Sequence, residues 1–335
     1  MHVSIEEYLS YLNEMRRSPL TLKAARQDLR HFVVWWEERR KRSFAPDMLL
    51  YRDVRDWQIR RQKQDGASPA TINRALSALR GYCRWSVKQG LMTDNPMMDI
   101  EDVPTTPLGP RGLPDEAVDA ILRSAHAQTQ PEVRLRDESV LVLLAYAGLR
   151  VQEVCDIQLR DIDIPGSTVT VRSGKAGRTR RVPLHPEAQR ILQKYLDQLR
   201  CPQGLPPVGN SEEIEPLIMR KDMATTGQPF VPGISQRMIQ RVVRQLGKQA
   251  AVRLKRDTDK EQDLERAAML EEVAYRLERV TPHQLRHSLA QRMLRNGAQL
   301  SEVQHVLGHS RLSTTGMYLT PGEEDLYQAI RRAGL

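Results

Sequence analysis

Cysteines and long apolar runs are both scarce in this chain of 335 residues. The three cysteines, Cys83, Cys155 and Cys201, are odd in number and widely spaced, which excludes a disulfide framework and favours reduced thiols. The longest apolar run, residues 140–147, is far shorter than the roughly 18 residues that a membrane-spanning helix needs. The start of the chain also lacks the charged and apolar segments of a secretion signal. We therefore expect a cytoplasmic protein that binds no membrane.

What the chain has instead is an apolar content of 40% and an excess of positive charge. The apolar content excludes disorder as the main state, and the length predicts two domains. Lysine and arginine number 51 against 42 acidic residues, so the formal net charge is +9. Residues 1–90 hold 18 bases and 10 acids, and thus carry +8 of that charge. A basic domain is typical of proteins that bind a polyanion such as nucleic acid, although basic solvated faces also occur in proteins that bind none.

Residues 1–96 have the pattern of an all-helical domain. Ser4 and Glu7 predict a capping box at the start of the first helix, and Asp53 predicts a cap at the start of the third. Ser68, followed by a proline, predicts the start of a fourth helix. Apolar residues recur on one side of these segments and arginines are frequent on the other, which predicts a small bundle with a basic surface.

A linker and a second domain follow. Prolines and glycines are dense and periodicity is weak in residues 97–112, where we place the linker. In the second domain, residues 113–335, helical patterns surround a short β region. Residues 167–172 and 178–184 alternate between apolar and polar, and they predict a hairpin with Lys175 at its tip.

Six residues that could carry chemistry follow one another in order, with an acid three positions after the first of them. They are Arg150 with Glu153, then Lys175, His283, Arg286, His309 and Tyr318. This order, together with the local sequences of residues 147–153, 281–287 and 307–318, resembles the tyrosine site-specific recombinases of the phage integrase superfamily. The first domain is similar to the core-binding domain of that family, most clearly over residues 68–96.

The resemblance implies a mainly α fold with a small antiparallel β-sheet, in which a helical, SAM-like core-binding domain precedes an α+β catalytic domain. It implies an enzyme that cleaves and rejoins DNA through a 3'-phosphotyrosine intermediate, for integration, excision or resolution of a mobile element. Its partners would be double-stranded DNA with specific recombination sites and further copies of the chain, as a tetramer in the synaptic complex. Residues 321–335 would pack on the next subunit. No metal, ATP or other cofactor is expected, and the cytoplasmic protein would associate with the nucleoid.

The resemblance also implies roles for individual residues, and the chemistry of the side chains supports them. Arg150 and Arg286 are suited to clamp the phosphate, because a guanidinium offers planar, permanently charged donors to phosphate oxygens. Tyr318 is the nucleophile by resemblance. Lys175 fits the acid that protonates the leaving 5'-oxygen, since neighbouring positive charges should lower its pKa.

Other residues would support these steps. His283 would act as the base toward the tyrosine hydroxyl, with a pKa near the working pH. His309 would hydrogen-bond the phosphate or the leaving side. Glu153 would orient Arg150 or His283 and balance their charge. DNA contacts are expected from seven arginines, which are Arg74, Arg80, Arg84, Arg172, Arg178, Arg180 and Arg181.

The site residues also have simpler interpretations. Arg150 and Glu153 could form an ordinary surface pair at helical spacing. Lys175 could be a turn lysine, with Arg172 or Arg178 taking its role.

Alternative sites and functions also stay open. Tyr327 is a second tyrosine near the C-terminus, although its apolar neighbours favour packing. Two histidine pairs at helical spacing could hold a structural zinc ion; they are His283 with His287 and His305 with His309. A type IB topoisomerase would share the chemistry without choosing a site, and a catalytically silent relative would only bind DNA. Residues 253–279, rich in both charge signs, predict an additional helix that is either a solvated surface or a contact with DNA or a second protomer.

Overall fold

The computed structural model describes residues 2–105, 112–172, 179–219 and 233–308 of the chain. The chain divides into two compact units, Met1–Pro107 and Leu108–Leu335, and each is described by itself. Within residues 2–105 the first unit contains four α-helices. They are α1 (Val3–Glu14), α2 (Pro19–Arg40), α3 (Tyr51–Lys63) and α4 (Pro69–Lys88), with a 3₁₀ turn at Pro46–Met48.

Serine side chains cap two of these helices. Ser18 and Ser68 precede α2 and α4, and each hydroxyl accepts a hydrogen bond from a backbone N–H three residues later, which confirms the start predicted at Ser68. The capping box predicted at Ser4 is wrong. His2 caps α1, and the buried Ser4 hydroxyl hydrogen-bonds the hydroxyl of Tyr82 at 2.6 Å, because this serine faces α4.

Asp53 stabilises the start of α3 from within the helix. Its carboxylate accepts a hydrogen bond from the backbone N–H of Leu50 at 3.2 Å and another from the indole of Trp36 at 3.2 Å. It also pairs with Arg40 of α2. The cap predicted at Asp53 is therefore wrong in position, since Leu50 is the residue before the helix. The carboxylate still satisfies one N-terminal donor of α3.

The core of the first unit is built from aromatic side chains. Phe32 lies edge-on to Trp57 with ring centroids 5.4 Å apart, and Trp36 lies edge-on to Phe44 at 5.3 Å. Edge-to-face pairs of this kind add about 1 kcal/mol each beyond the free energy gained by burial. The rings come from α2, α3 and the segment between them, so they hold those helices as one body.

The chain beyond α4 packs on the same core. Met97, Ile100 and Val103 are buried in it. The side chain of Asn73 in α4 hydrogen-bonds both backbone groups of Val103, at 2.8 and 2.9 Å. Within the linker proposed for residues 97–112, the part up to Val103 therefore packs as part of the first unit.

The second unit, in its described residues from 112 to 308, contains eight α-helices and three strands. The helices are α5 (Asp115–His126), α6 (Pro131–Ala145), α7 (Val151–Asp156), α8 (Pro186–Tyr195), α9 (Gln236–Thr258), α10 (Leu264–Glu278), α11 (Pro282–Arg295) and α12 (Leu300–Leu307). The strands are β1 (Ile162–Asp163), β2 (Thr168–Arg172) and β3 (Thr179–Pro183). Across the parts of the chain that the structure describes, no helix is long and apolar enough to cross a membrane.

The strands form one antiparallel sheet in the order β1-β2-β3. Val169 of β2 lies opposite Val182 of β3, and both are fully buried, because alternate residues of each strand face the core. The expected fold class, mainly α with a small antiparallel sheet, is confirmed, and so is the pairing of the two hairpin strands. Lys175, predicted at the hairpin tip, lies outside the described residues.

Helix α6 is the central element of the second unit. Every residue from 135 to 145 is buried, as expected for a helix that is enclosed on all sides and has no face exposed to solvent. Helices α5, α8 and α11 pack around it. The segment that leads to Arg150 thus begins at the end of a helix that is enclosed by other described helices of the unit.

The additional helix predicted within residues 253–279 is present as α10. Val273, Ala274 and Leu277 are buried, and α10 packs along α9. The helix is therefore part of the core of the second unit and not only a solvated surface. Deleting it would expose the apolar face of α9.

Candidate active site

Four segments of the second unit meet at one point: the start of α7, strand β3, the start of α11 and the end of α12. They bring together Arg150, Glu153, Arg180, His283 and Arg286. The turn between α6 and α7 is made by Gly148, whose φ is +62°. A side chain at this position would lie 2.8 Å from Leu289 and 2.9 Å from Leu307. Glycine therefore allows the start of α7 to lie directly against α11 and α12.

Glu153 is the shared partner of the arginines. Its carboxylate accepts hydrogen bonds from the backbone N–H and the guanidinium of Arg150, each at 2.8 Å. Arg180 donates two more, one to each oxygen, both at 2.9 Å. Nη1 of Arg286 lies 3.8 Å from Oε2. Glu153 thus joins three guanidinium groups of the described residues.

The environment of Glu153 keeps it ionised. Its side chain is only 10% exposed, and burial alone would raise its pKa. The hydrogen bonds from Arg180 and from the backbone of Arg150, with the charges of both arginines, lower the pKa to about 2. Glu153 is therefore an anion at neutral pH, and it acts as an acceptor and not as a proton donor.

The last turn of α12 binds the same arginines. The final carbonyl groups of a helix have no partners within it, and here three consecutive carbonyls each accept a hydrogen bond from a different arginine. The pairs are Arg180 Nε with Val306 at 3.1 Å, Arg286 with Leu307, and Arg150 with Gly308 at 3.0 Å. The negative end of the helix dipole strengthens this attraction. His309 follows Gly308 directly in the sequence, and it lies outside the described residues, as do Lys175, Arg178 and Tyr318.

Arg286 and Arg150 differ in exposure. The side chain of Arg286 is 5% exposed and also donates to the carbonyl of Gly148, so it forms the floor of the site. The side chain of Arg150 is 37% exposed and faces solvent. Among the described side chains that meet here, three arginines surround one carboxylate, which leaves an excess of positive charge. Such a cluster suits the binding of a phosphate group.

His283 lies at the start of α11, three residues before Arg286. Its imidazole is accessible to solvent. Partial desolvation, with the positive charges of Arg286 and Arg150, lowers its pKa from the ordinary value of 6.5. The neutral imidazole therefore predominates at neutral pH and can accept a proton.

The structure brings together four of the predicted site residues, which are Arg150, Glu153, His283 and Arg286. Sequence reasoning missed the position of Arg180, which it included among the DNA contacts, whereas the side chain is 9% exposed and faces Glu153. Strand alternation was the signal that could have indicated this position. Arg180 lies two residues before the buried Val182 on β3 and shares its face, whereas Arg181 faces the opposite side.

The other described arginines proposed for DNA contact are partly or fully exposed, and most pair with an acid. The pairs are Arg74–Asp28 at 2.9 Å, Arg80–Asp102 at 3.0 Å, Arg172–Asp161 at 2.5 Å and Arg181–Asp163 at 3.4 Å. Arg84 is exposed. The pairs of Arg80 and Arg181 are accessible to solvent on both sides and should stabilise the protein by less than about 1 kcal/mol, so these two guanidinium groups can exchange a carboxylate for a phosphate. The partners of Arg74 and Arg172, Asp28 and Asp161, are buried.

Helix α9 carries a basic face that sequence reasoning also missed. A groove along it is lined, in the described residues, by cationic and amide side chains. They are Arg237, Gln240, Arg241, Arg244, Gln245, Lys248 and Gln249. Bases at intervals of three and four residues share one side of a helix, and this spacing in the sequence was the signal that could have revealed the face.

Metal binding was the alternative use of the histidines. Within the residues that the structure describes, no group of three or more His, Cys, Asp or Glu side chains is arranged to hold a metal ion. One of the four histidines considered for zinc, His309, lies outside those residues.

Comparisons with protein families match both units. The model described as "Phage integrase family" matches residues 112–324. The model described as "Phage integrase, N-terminal SAM-like domain" matches residues 5–90. The first of these matches covers every described residue of the candidate site.

Individual proteins are similar over nearly the whole chain. The tyrosine recombinase XerC of Halalkalibacterium halodurans is 30% identical over 333 residues, which are 98% of this chain and 95% of the relative. The tyrosine recombinase XerD of Listeria monocytogenes is 29% identical over 324 residues, which are 95% of this chain and 94% of the relative. The solved structure of the Tn1549 transposon integrase in complex with transposon right end DNA covers 100% of both chains with a TM-score of 0.66 and 16% identity. At that identity the structural likeness concerns the fold.

Proposed function

This chain belongs to the phage integrase family, and we propose that the arginine cluster around Glu153 is its phosphate-binding site. The chain is a site-specific tyrosine recombinase, an enzyme that binds DNA and cleaves and rejoins its strands. The observation that carries the proposal for the site is the convergence of Arg150, Arg180 and Arg286 on one buried, ionised carboxylate.

Arg150 and Arg286 are proposed to bind the oxygens of the scissile phosphate. Attack on a phosphodiester creates a phosphorane-like transition state with more negative charge than the ground state, and preformed donors stabilise that charge most. Both guanidinium groups are already fixed, by Glu153 and by carbonyls of α12. The positive charge therefore needs little reorganisation when the transition state forms.

Tyr318 is proposed as the nucleophile. Its phenolic oxygen forms a bond to phosphorus while the bond from phosphorus to the 5'-oxygen breaks, which leaves a 3'-phosphotyrosine and a free 5'-hydroxyl. His283, held neutral by its neighbours, accepts the phenolic proton. Lys175 donates a proton to the 5'-oxygen, and His309 hydrogen-bonds the phosphate or the leaving oxygen.

The covalent intermediate explains why no ATP is needed. A 5'-hydroxyl from another strand attacks the phosphotyrosine, the bond to Tyr318 breaks, and a phosphodiester forms again. The number of phosphoester bonds is the same before and after. Integration, excision and resolution of a mobile element share this step and differ in where the two DNA sites lie.

DNA contacts are proposed for three basic surfaces. The groove of α9 is free of acidic side chains among the described residues that line it, and Arg172 and Arg181 extend from the hairpin. Arg74, Arg80 and Arg84 would contact DNA from the first unit. Because contacts to the DNA backbone release counterions, binding through these surfaces should weaken steeply as salt concentration rises.

Assembly on DNA is proposed to involve four copies of the chain. Two recombining sites present four strands to be cut, so four nucleophiles are required. Residues 321–335 have apolar side chains at helical spacing in the sequence, at Leu326, Ala329 and Ile330, and they are proposed to pack on the neighbouring copy. The site of action would be the nucleoid in the cytoplasm.

A plasmid assay separates recombination from its alternatives. The DNA site is first recovered by selecting genomic fragments that the protein binds. A plasmid with two copies of this site, incubated without metal or ATP, should be resolved or inverted, while a plasmid without the site should keep its supercoils. Relaxation of both plasmids would indicate a topoisomerase. Binding with no change in either plasmid would indicate a catalytically silent relative.

A further inference from the structure

Arg180 links three elements of the second unit from within strand β3. Its Nη1 and Nη2 donate to the two oxygens of Glu153, at 2.9 Å each. Its Nε donates to the carbonyl of Val306 in α12 at 3.1 Å. All three nitrogens of the guanidinium thus donate hydrogen bonds to α7 or α12, so the side chain is held in the interior of the second unit.

The backbone of Gly308 lies directly against the same guanidinium. A Cβ at this position would lie 2.8 to 2.9 Å from three atoms of the Arg180 side chain. Gly308 also ends α12 in the left-handed conformation, with φ of +63°. Only glycine combines this conformation with so close an approach, and the site is therefore built to hold Arg180 against the end of α12.

The neighbouring arginine on β3 provides a contrast. Arg181 faces the opposite side of the strand, its side chain is 66% exposed, and it donates to the hydroxyl of Thr168 at 3.0 Å. Two adjacent arginines of one basic segment thus have different surroundings. Arg181 is available to a DNA backbone, whereas Arg180 is enclosed.

We propose that Arg180 is a positioning residue for strand cleavage, which sets Glu153 and the last turn of α12 in place and does not contact DNA. The proposal rests on the proposed function of the site. Glu153 and α12 are the two partners that hold Arg150, so a shift in either one moves the exposed arginine of the clamp.

Loss of Arg180 has a defined consequence for the site. In Arg180→Ala, Glu153 loses two hydrogen bonds and Val306 loses one. The carboxylate then interacts more strongly with Arg150, which draws that guanidinium away from the phosphate, and the last turn of α12 opens more often. Arg180→Lys keeps the positive charge but cannot form the paired hydrogen bonds, so it should restore only part of the function.

The first test needs no DNA. Hydrogen–deuterium exchange of residues 300–308 is compared in wild type, Arg180→Ala, Arg180→Lys and two controls. Arg181→Ala is the matched neighbour on β3, and Arg190→Ala changes an exposed arginine of α8 that pairs with Glu187. Exchange in α12 should be at least about tenfold faster in Arg180→Ala than in either control. Equal exchange in Arg180→Ala and Arg181→Ala would overturn the positioning role.

The second test separates binding from cleavage. At saturating DNA, Arg180→Ala should lower the rate of covalent complex formation by about 100-fold, since a small misplacement of catalytic groups has an effect of that size. Its DNA affinity and the salt dependence of that affinity should equal those of Arg190→Ala, whereas Arg181→Ala should weaken both. An Arg180→Ala variant with the binding defect of Arg181→Ala and an unchanged cleavage rate would contradict the proposal.

The two tests distinguish failure of the proposed function from failure of the positioning role of Arg180. If wild type forms no covalent complex, the proposed function fails, and the exchange of α12 still decides whether Arg180 positions that helix. If Arg180→Ala does not fold, Arg180→Lys decides by the same readouts: faster exchange and slower cleavage with unchanged affinity support the proposal, and wild-type values for both contradict it.

Discussion

The guanidinium of Arg180 and the carboxylate of Glu153 face each other through two parallel hydrogen bonds of 2.9 Å each. Paired bonds of this geometry are among the stronger polar contacts in proteins, because both partners are charged and planar. Here the pair is enclosed, and Glu153 also holds Arg150. The acid that accompanies the first arginine of the sequence pattern is therefore the structural centre of the described site.

The first prediction concerns acid stability. The folded-state pKa of Glu153 is about 2, below its ordinary value of 4.5, so its contribution is complete above pH 4.5 and is lost as pH falls toward 2. The difference corresponds to about 3 kcal/mol of unfolding free energy. Glu153→Gln should be less stable than wild type at neutral pH. Its unfolding free energy, measured with urea, should fall less between pH 6 and pH 3 than that of wild type.

The matched control for this measurement is Glu187→Gln. Glu187 also pairs with an arginine, Arg190, but the pair is exposed and should contribute less than about 1 kcal/mol. The unfolding free energy of Glu187→Gln should depend on pH as that of wild type does. A Glu153→Gln variant with the stability and pH dependence of Glu187→Gln would show that the buried pair contributes little.

The second prediction compares two glycines with left-handed backbones. Gly308→Ala places a methyl group against Arg180, whereas Gly297, with φ of +89°, has no atom within 4 Å of an added Cβ. Both substitutions should cost about 1 kcal/mol through backbone strain. Only Gly308→Ala should also slow strand cleavage, by about tenfold or more, because it displaces Arg180. Thermal unfolding and the rate of covalent complex formation measure the two effects, and equal cleavage rates would argue against a tight contact.

The third prediction concerns the pH profile of cleavage. Because the pKa of His283 is lowered below 6.5 by desolvation and by Arg286 and Arg150, its base form should persist at neutral pH. The rate should fall only when the pH drops through that lowered pKa. His283→Ala should cleave about 100-fold more slowly and lose the acidic limb. The control His305→Ala, which changes an exposed histidine of α12, should retain the acidic limb. An unchanged pH profile of cleavage in His283→Ala would show that His283 does not take part in the proton transfer.

The fourth prediction separates the two arginines of the clamp. Both Arg150→Ala and Arg286→Ala should lower the cleavage rate by at least about 100-fold, because each removes a donor to the transition state. Arg286 is buried and binds two carbonyls, so its loss should also reduce the unfolding free energy by about 2 to 3 kcal/mol. Arg150 is more exposed, and its loss should cost about 1 kcal/mol. Denaturant unfolding and single-turnover cleavage test this division, and equal stability losses would contradict it.

Local sequence chemistry predicted much of the fold. Ser68 and the proline after it predicted the start of α4, and strand alternation predicted the pairing of β2 with β3. The capping box at Ser4 failed for a reason that lies outside local sequence. Its hydroxyl reaches Tyr82, 78 residues away, and no neighbouring residue signals that contact.

Four of the five described residues of the candidate site were predicted from the sequence, but the contacts among them were not. The sequence pattern identified Arg150, Glu153, His283 and Arg286, which the structure brings together. It did not show that Arg180 enters the cluster, because the partners of Arg180 come from α7 and α12, distant in sequence. Nor could it show that three carbonyls at the end of one helix would hold three arginines, since that depends on tertiary packing.

The most direct test of this account is the covalent intermediate. The protein is incubated without metal on its selected DNA site, which carries a nick just downstream of the cleavage position. The short fragment that bears the released 5'-hydroxyl then diffuses away, and religation is prevented. We predict a protein–DNA adduct joined through the 3'-phosphate, whose peptide map places the DNA on Tyr318, and we predict that Tyr318→Phe abolishes it while Tyr327→Phe does not. An adduct that persists in Tyr318→Phe, or the lack of any adduct from wild type that binds the site, would contradict the account.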